Sequence, residues 1–362
     1  MPASKKTVLQ IIDRLSVGGA ERILVNLSNL LSENGHQVTV VTLVEPGILQ
    51  GELNPQIRCC SLNRKWKWNP VKMYRLVKIA KQHDIIHVHS APNLRYLYLA
   101  AKLFFLRKEI FFQEHYGNVV REKISWHKKL LYPAVNFIAV SGEQARWALE
   151  KMKIPRKRIF LLPGIVRKLP VTGREAKSPA FKKILLVSNF LPVKNIGFAV
   201  LLAEKLQQSG KFPCTLTIAG QPYDRVYFET ILQNIRDKQL EKIIRIVPDC
   251  NNIQPLLGGY DLALHTSVSE SGPLVLLEYL AFGLPFVCFR TGEIATIVQR
   301  EFPELVMEGF DPEEWLARIE QVLEGGDATL SNRLSSHFTQ NFSEEITYRR
   351  CMEIYERGSS SA

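Results

Sequence analysis

Long apolar runs, paired cysteines and a leader-like N-terminus are all missing from this 362-residue sequence. The longest apolar candidate, Tyr96 to Leu106, is interrupted by Lys102 and falls short of the roughly 18 residues of a membrane-spanning helix. The six cysteines show no C-x-x-C spacing and no disulfide framework. The N-terminus lacks an apolar core and leads directly into a strand pattern. These absences predict a reduced, cytoplasmic protein without a transmembrane segment.

Acidic residues are scarce in the first half of the chain, although 46% hydrophobic and 23% charged residues are typical of a soluble globular protein. Residues 1–175 carry 29 Lys and Arg against 12 Asp and Glu, and residues 176–362 carry 18 against 23. The net charges are therefore +17 and −5, which agrees with +12 for the whole chain. This asymmetry predicts two domains with different partners, and nucleic acid or an anionic membrane surface are candidates for the basic one.

Repeated strand and helix patterns run through both halves. The apolar strands expected are 7–12, 38–44, 85–89, 110–114 and 137–140, then 184–188, 216–219, 243–247, 262–265 and 286–289. Helices are expected between them, and two more close the chain. Near-continuous apolar strands separated by helices predict an α/β protein with two doubly wound parallel sheets. The segment Arg167–Pro179 is predicted to be a linker, and the G-S-S-S-A tail from Gly358 is predicted to be disordered.

The most informative motif is S-E-S-G-P-L-V-L-L-E, which begins at Ser269. Its Gly-Pro step suits the entry to a helix and the glycine after Phe282 suits a left-handed cap, so a helix is predicted from Leu274 to Phe282. Unpaired backbone N–H groups at such a helix start favour an anion. Glu270 precedes the helix and Glu278 lies one turn inside it. The arrangement suits a phosphate flanked by hydroxyls, as in a nucleotide-sugar.

Two further loops follow strands, where ligands of such sheets bind. S-V-G-G-A-E-R contains Gly18 and Gly19, which allow a phosphate to approach the backbone. V-S-N-F-L-P-V-K-N places Lys194 before a helix, within reach of a diphosphate. An ordinary strand–helix turn and a solvated lysine are the structural alternatives. The glycines do not form G-x-G-x-x-G, but Glu45 after the second strand suits a ribose, so a nicotinamide enzyme stays open.

Three histidines lie at strand ends in the first half. His87 and His89 alternate along one strand and therefore face the same side, and His115 follows the next strand. A metal site is not expected, because no third ligand with convincing spacing accompanies them. His115 is interpreted as a residue at the edge of a ligand cleft, in contact with a substrate hydroxyl or phosphate. A purely structural histidine is the alternative.

Basic and aromatic residues are interleaved in two segments, R-K-W-K-W at 64–68 and R-E-K-I-S-W-H-K-K-L-L-Y at 121–132. Interfacial helices combine Lys and Arg with Trp and Leu in this way, and each cation near an anionic leaflet contributes about 1 kcal/mol. A solvated helix face with inward-packed tryptophans is the alternative. Nucleic acid is not an expected partner, because no recognised nucleic-acid-binding motif accompanies the charge.

Taken in order along nearly the whole chain, these motifs resemble the retaining glycosyltransferases of family 4. The resemblance rests on G-G-A-E-R, D-I-I-H-V-H-S, the strand-end His115, I-A-V-S-G, V-S-N-F-L-P-V-K-N, the two glutamates with seven residues between them, and A-F-G-L-P-F-V-C-F-R-T-G-E-I. It implies a GT-B fold, with two Rossmann-like domains that face a central cleft. Residues 1–170 would bind the acceptor, residues 171–342 the nucleotide-sugar, and residues 343–357 would form a last helix that crosses back to the first domain.

The resemblance also implies a role for the motif residues. Glu278 would hold the ribose, Glu270 the hydroxyls of the transferred sugar, and Lys194 would neutralise the leaving diphosphate. The residues implied in donor binding are Gly18, Gly19, Asn189, Lys194, Glu270, Ser271, Gly272, Pro273, Leu274 and Glu278; those implied in catalysis are His115, Lys194 and Glu270. No metal and no cofactor are implied, and a UDP- or GDP-sugar is the co-substrate.

Three positions depart from the family pattern. Ser188 and Asn189 stand where Gly-Arg is common before the lysine, which removes one positive charge from the implied donor site. The usual P-N-G-V-D is replaced by L-P-G-I-V, residues 162–166, and the usual double glycine by Thr291 and Gly292.

The sequence therefore predicts a retaining hexosyltransferase that moves a sugar from a nucleoside diphosphate to a hydroxyl of a glycan or lipid-linked glycan. Polysaccharide or lipopolysaccharide synthesis at the inner face of the plasma membrane is the expected setting, with peripheral contact through the basic domain. A catalytically weak nucleotide-sugar-binding subunit of a glycan assembly complex is the alternative, supported by Asn189 alone. An epimerase or phosphorylase on the same fold would need other phosphate or cofactor contacts.

Overall fold

The computed structural model describes residues 5–120, 123–168, 181–250, 252–325 and 328–359. They form two compact units. One contains the described residues up to Val166 together with those from Glu344 onwards, and the other spans Arg167–Ser343. The predicted linker lies mostly outside the described residues, and so do Arg121 and Glu122 of the second basic segment.

The first unit is built on a seven-stranded parallel sheet with the order β3-β2-β1-β4-β5-β6-β7. Its strands are β1 (Thr7–Ile12), β2 (Gln37–Thr42), β3 (Arg58–Ser61), β4 (Ile85–His89), β5 (Ile110–Glu114), β6 (Asn136–Ala139) and β7 (Ile159–Leu161). The helices between them are α1 (Gly19–Glu33), α2 (Pro70–Ala80), α3 (Ala91–Leu103), α4 (Trp126–Leu131) and α5 (Gly142–Glu150). The strand order reverses between β1 and β4, the place where ligands of open α/β sheets bind.

The second unit repeats this architecture on a six-stranded parallel sheet with the order β10-β9-β8-β11-β12-β13. Its strands are β8 (Lys182–Val187), β9 (Cys214–Gly220), β10 (Ile244–Pro248), β11 (Leu262–His265), β12 (Phe286–Phe289) and β13 (Val306–Met307). Its helices are α6 (Ile196–Ser209), α7 (Arg225–Asp237), α8 (Gln254–Leu257), α9 (Leu274–Phe282), α10 (Gly292–Glu301), α11 (Pro312–Glu324) and α12 (Ala328–Phe342). The predicted doubly wound parallel sheets are therefore confirmed in both units.

The last helix, α13 (Glu344–Ser359), packs against the sheet of the first unit. Its Tyr355 hydroxyl lies 2.9 Å from His87 Nδ1. Gly358 is buried, and a Cβ atom there would lie only 2.4 Å from the ring of Phe111. The predicted disordered tail is therefore wrong for Gly358 and Ser359, which belong to the helix, while residues 360–362 lie outside the described part.

Candidate functional site

Glu270 and Lys194 meet at the carboxyl edge of the second unit's sheet. Lys194 ends a 3₁₀ turn that follows β8, and Glu270 lies in the loop that follows β11. Because β8 and β11 are parallel neighbours, the loops after them emerge side by side. The Lys194 ammonium donates to Glu270 Oε1 at 2.5 Å. The same oxygen lies 3.6 Å from Nε2 of His265, the last residue of β11, which sequence reasoning did not select.

The Glu270 carboxylate is mostly buried, with 15% of its side chain exposed. Burial alone would raise its pKa, because removal from water disfavours the charged form. Contacts with His265 and Lys194 outweigh burial and lower the pKa of Glu270 to about 2. The Glu270 carboxylate is therefore an anion at neutral pH. An anionic ligand that binds Lys194 would compete with Glu270 for the positive charge of the ammonium.

Two residues after β12 hold the backbone of the Glu270 loop. The Glu270 N–H donates to Thr291 Oγ1 at 2.9 Å, and the Glu293 N–H donates to the Ser271 carbonyl at 2.8 Å. Gly292 has φ +78°, and a Cβ atom there would lie 2.9 Å from Pro273 Cδ and 3.1 Å from the Ser271 carbonyl oxygen. Only glycine fits this close approach without displacing the loop. Thr291, read in the sequence as the loss of a glycine, supplies a hydrogen-bond acceptor.

Helix α9 begins and ends as the sequence predicts. Pro273 is its N-cap and Gly283, with φ +62°, is its left-handed C-cap. Within the described residues no side chain caps the first turn, and uncapped backbone N–H groups at a helix start favour an anion. Glu278 is half-buried one turn into the helix. The buried Tyr279 next to it accepts the Val187 N–H at 3.3 Å, which fixes the helix to the end of β8.

Asn189 connects the loops that follow two neighbouring strands. Its Oδ1 accepts the Gln221 N–H at 3.1 Å, which joins the loops that follow β8 and β9. Gly220 passes so close that a Cβ atom would lie 2.1 Å from the Ser188 carbonyl oxygen. The residue that replaces the family arginine therefore ties two loops together and adds no charge.

Gly18 and Gly19 belong to the first unit, at the junction of β1 and α1. Gly18 is the extended N-cap of α1, and no side chain within the described residues caps this helix start. A Cβ atom on Gly18 would lie 2.4 Å from Glu21 Oε2, whereas one on Gly19 would have no described atom within 4 Å. Glu21 accepts a hydrogen bond from the Ser16 hydroxyl at 3.1 Å, and burial raises its pKa. A ligand can therefore approach the backbone closely at Gly19.

His87, His89 and His115 form a stack in the first unit, and His87 and His89 face the same side of the sheet, as their alternation along one strand predicts. The rings of His87 and His89 are stacked with centroids 4.3 Å apart, and those of His89 and His115 with centroids 5.1 Å apart. Burial lowers the pKa of His87 and of His115 to about 3, and it lowers the pKa of His89 well below its usual value. All three rings are therefore neutral at physiological pH. No group of three or more His, Cys, Asp or Glu suited to a metal occurs among the described residues.

Aromatic and basic side chains cover one surface of the first unit, formed by residues 64–68, α2, α3 and α4; we call it the basic aromatic surface. Trp66 and Trp126 are each 76% exposed. Arg95 on α3 lies 5.2 Å from the ring of Trp68 and acts electrostatically on His127 of α4, so the segments adjoin. The alternative of inward-packed tryptophans is therefore wrong for Trp66 and Trp126. No helix in the described part of the chain has the length and apolar character needed to span a bilayer.

Comparisons with known proteins divide the chain at the same place as the structure. The family model described as Glycosyltransferase Family 4 matches residues 17–167, and the model described as Glycosyl transferases group 1 matches residues 173–340. An N-acetyl-alpha-D-glucosaminyl L-malate synthase of Bacillus anthracis is 24% identical over 94% of this chain and 93% of its own length. A putative glycosyltransferase, EpsF of Bacillus subtilis, is 24% identical over 79% of this chain and 80% of its own.

Solved structures share the fold over the full length. A glycosyltransferase from Rickettsia africae ESF-5 has a TM-score of 0.80 at 18% identity and covers 99% of this chain and 100% of that one. Anabaena Alr3699/HepE, solved in complex with UDP and glucose, has a TM-score of 0.78 at 16% identity and covers 97% and 99%.

Proposed function

The chain belongs to glycosyltransferase family 4 and has the GT-B fold, and from this premise we propose that it is a retaining, metal-independent transferase that uses a UDP-sugar. The observation that carries the proposal is the Lys194–Glu270 ion pair beside the start of α9. The choice of UDP follows from HepE, which was solved with UDP-glucose and with UDP. A GDP-sugar is the competing donor.

The proposed donor site of the second unit combines one cation, one helix start and two carboxylates. Lys194 and the backbone N–H groups near Gly272 and Leu274 meet the diphosphate, because charge-assisted donors and a helix N-terminus both favour an anion. Glu278 accepts from the ribose hydroxyls and Glu270 from the sugar hydroxyls. The remaining proposed lining residues are Asn189, Ser271 and Pro273, and the proposed ligand contacts of the first unit are Gly18, Gly19 and His115.

Donor binding is proposed to exchange the partner of Lys194. In the structure the Lys194 ammonium is paired with Glu270. A diphosphate carries more negative charge than a carboxylate and would draw the ammonium toward itself. Glu270 would then keep His265 beside its side chain and Thr291 on its backbone, and its carboxylate oxygens would be available to sugar hydroxyls.

The proposed reaction takes place on one face of the sugar. The bond between the anomeric carbon and the phosphate oxygen breaks, and its electron pair stays on the phosphate, where Lys194 stabilises the developing charge. The acceptor oxygen bonds to the anomeric carbon on the face that the phosphate leaves, and its proton passes to the departing phosphate oxygen. Glu270 is not a nucleophile here, because its role is to orient the sugar hydroxyls.

Transfer and donor hydrolysis with a panel of UDP- and GDP-sugars test the proposal, after treatment with EDTA. Lys194→Ala and Glu278→Ala should each lower turnover at least tenfold, because each removes a charged contact with the donor. Lys205→Ala is the matched control, since Lys205 pairs with Glu313 away from this loop. Near-wild-type activity of both site variants would refute the site assignment, and activity lost only after EDTA would refute metal independence.

The acceptor is proposed to be a lipid-linked glycan at the inner face of the plasma membrane, with the basic aromatic surface as the membrane contact. Exposed Trp66 and Trp126 offer amphipathic anchors, and Lys67 and Arg95 bring positive charge to within about 6 Å of the ring of Trp68 on the same surface. Such a surface binds an anionic leaflet through the burial of its apolar side chains and through the attraction of its cations to the anionic lipids.

Flotation with phosphatidylglycerol vesicles tests the membrane contact. The wild type should float at low salt and much less at high salt, because the cation contribution is screened. A Trp66→Ser/Trp126→Ser variant should float several-fold less, whereas Val226→Ser, which changes an exposed apolar residue of the other unit, should float normally. Equal flotation of all three proteins, or none at all, would refute the assignment.

A catalytically weak donor-binding subunit is the second candidate, and one observation favours it. Asn189 uses its carboxamide oxygen to hold Gln221, so this position provides no cation for the diphosphate. Donor binding in a thermal-shift assay without transfer or hydrolysis would support this candidate, since binding stabilises by mass action whether or not chemistry follows. Measured transfer would exclude it.

A further inference from the structure

The histidine stack contains a chain of hydrogen bonds that ends at His115. His89 Nε2 lies 2.8 Å from Gln10 Oε1, and His89 Nδ1 lies 2.8 Å from His115 Nε2. Gln10 and His89 are fully buried on the adjacent strands β1 and β4, and His115 directly follows β5. The strand register therefore sets the order of the three groups along the chain of bonds.

The direction of these hydrogen bonds follows from the orientation of the Gln10 amide, whose Oε1 atom faces His89. The Gln10 Oε1 atom only accepts, so the facing His89 Nε2 must carry a hydrogen. A neutral imidazole has a single N–H, so His89 Nδ1 has none and must accept. Its partner, His115 Nε2, must then be the donor. His115 is thereby held in the tautomer with its proton on Nε2, and its Nδ1 is an acceptor.

The surroundings of the three rings keep them neutral. His89 is fully buried, which disfavours its charged form, and the neighbouring rings of His87 and His115 lower its pKa further. Tyr355 of α13 contacts His87 through its hydroxyl. Glu114, the nearest carboxylate along the chain, accepts from the Tyr132 hydroxyl and the Tyr116 N–H and is itself shifted by burial toward its neutral form.

We propose that His89 is a positioning residue, which with Gln10 fixes the ring of His115 as a hydrogen-bond acceptor at Nδ1. This rests on the proposed function only in taking His115 as a donor-sugar contact. A sugar hydroxyl can donate to such a nitrogen, whereas an ionised phosphate oxygen cannot. The structure thus favours a hydroxyl over a phosphate as the group that meets His115.

The tautomer can be measured in the ligand-free protein, independently of any activity. Long-range ¹H–¹⁵N correlation of histidine-labelled protein at neutral pH separates protonated from unprotonated ring nitrogens, and His115→Gln assigns the His115 signals. The expected result is a protonated Nε2 and an unprotonated Nδ1 for both His115 and His89. Protonation of both rings on Nδ1, the pattern that a reversed Gln10 amide would impose, would overturn the proposal.

Variants of His89 test its effect on His115. His89→Leu removes the acceptor, so His115 should show a mixture of tautomers and turnover of UDP-glucose should fall about tenfold, the value of one buried hydrogen bond. His89→Asn places an amide oxygen near the former Nδ1 and should restore both. His83→Leu is the matched control, because His83 is a buried histidine of the same unit bonded to Thr39 and Ile79.

The outcomes separate this inference from the proposed function. A single His115 tautomer that is unchanged in His89→Leu would refute the positioning role, whatever the activity. The expected tautomers in a protein that turns over none of the UDP- or GDP-sugars would support the positioning of His115 and refute the transferase function alone.

Discussion

Mild acid should destabilise the first unit through its buried histidines. The pKa of His87 and of His115 is about 3, and that of His89 is also well below the value near 6.5 of an unfolded chain. When pH falls below about 6.5, the unfolded chain takes up protons that the folded unit cannot. The free energy of unfolding must therefore decrease as pH falls, and above pH 7 these groups have no effect.

The size of the effect follows from the proton count. One histidine whose folded pKa lies far below 6.5 costs about 1.4 kcal/mol at pH 5.5, so three cost about 4 kcal/mol relative to pH 7.5. For a unit of this size that corresponds to a fall in Tm of about 8–16 °C. The raised pKa values of Glu21 and Glu114 act in the opposite direction, so a pair of variants is needed to isolate the histidines.

Urea denaturation of the whole chain at pH 7.5 and 5.5 measures the effect. His87→Phe removes one titrating ring and should reduce the loss of stability on acidification by about 1.4 kcal/mol. Tyr355→Phe breaks the same hydrogen bond but keeps the proton count, so it should retain the wild-type pH dependence. Equal pH dependence of wild type and His87→Phe would show that this histidine is not neutral in the folded protein, and the reasoning would fail.

Three further substitutions test the packing around the site. Thr291→Val keeps the side-chain volume but leaves the Glu270 N–H without its acceptor, so sugar transfer should fall about five- to tenfold in a kinetic assay. Gly292→Ala should lower donor affinity and Tm, measured by titration and calorimetry, because φ is +78° and the added Cβ atom would clash with Pro273. Gly358→Ala should lower Tm by several degrees through its clash with Phe111, whereas Gly51→Ala, which meets no described atom, should not.

The sequence predicts the parallel sheets and α9 well, because both depend on local signals. Near-continuous apolar strands identify buried parallel strands, and the Gly-Pro entry and Gly283 mark both ends of α9. The strands that were missed have weak signals: β3 reads R-C-C-S, β7 has three residues and β13 two. These strands lie at or next to sheet edges, where pairing with a neighbour and not an apolar pattern defines the strand.

Tertiary pairing decides the parts of the site that the sequence leaves open. His265 is five residues before Glu270 at the end of a strand, which is a usable signal, but only the sheet order shows that Lys194 reaches the same carboxylate. The bond between His89 and His115 likewise depends on the register of β4 against β5. Residues far apart in the chain meet here because parallel strands end at one edge, and no local pattern records which ends are neighbours.

Two of the three departures from the family pattern have one physical explanation in common. Asn189 and Thr291 both use a side-chain oxygen to accept a backbone N–H from a neighbouring loop, Gln221 in one case and Glu270 in the other. Each replacement therefore fixes a loop that borders the Lys194–Glu270 pair. If rigid loops compensate for the missing cation, Asn189→Arg should lower the free energy of unfolding, because it breaks the hydrogen bond to Gln221. The same variant should not improve turnover. Higher turnover in Asn189→Arg would show instead that charge, not loop geometry, limits this site.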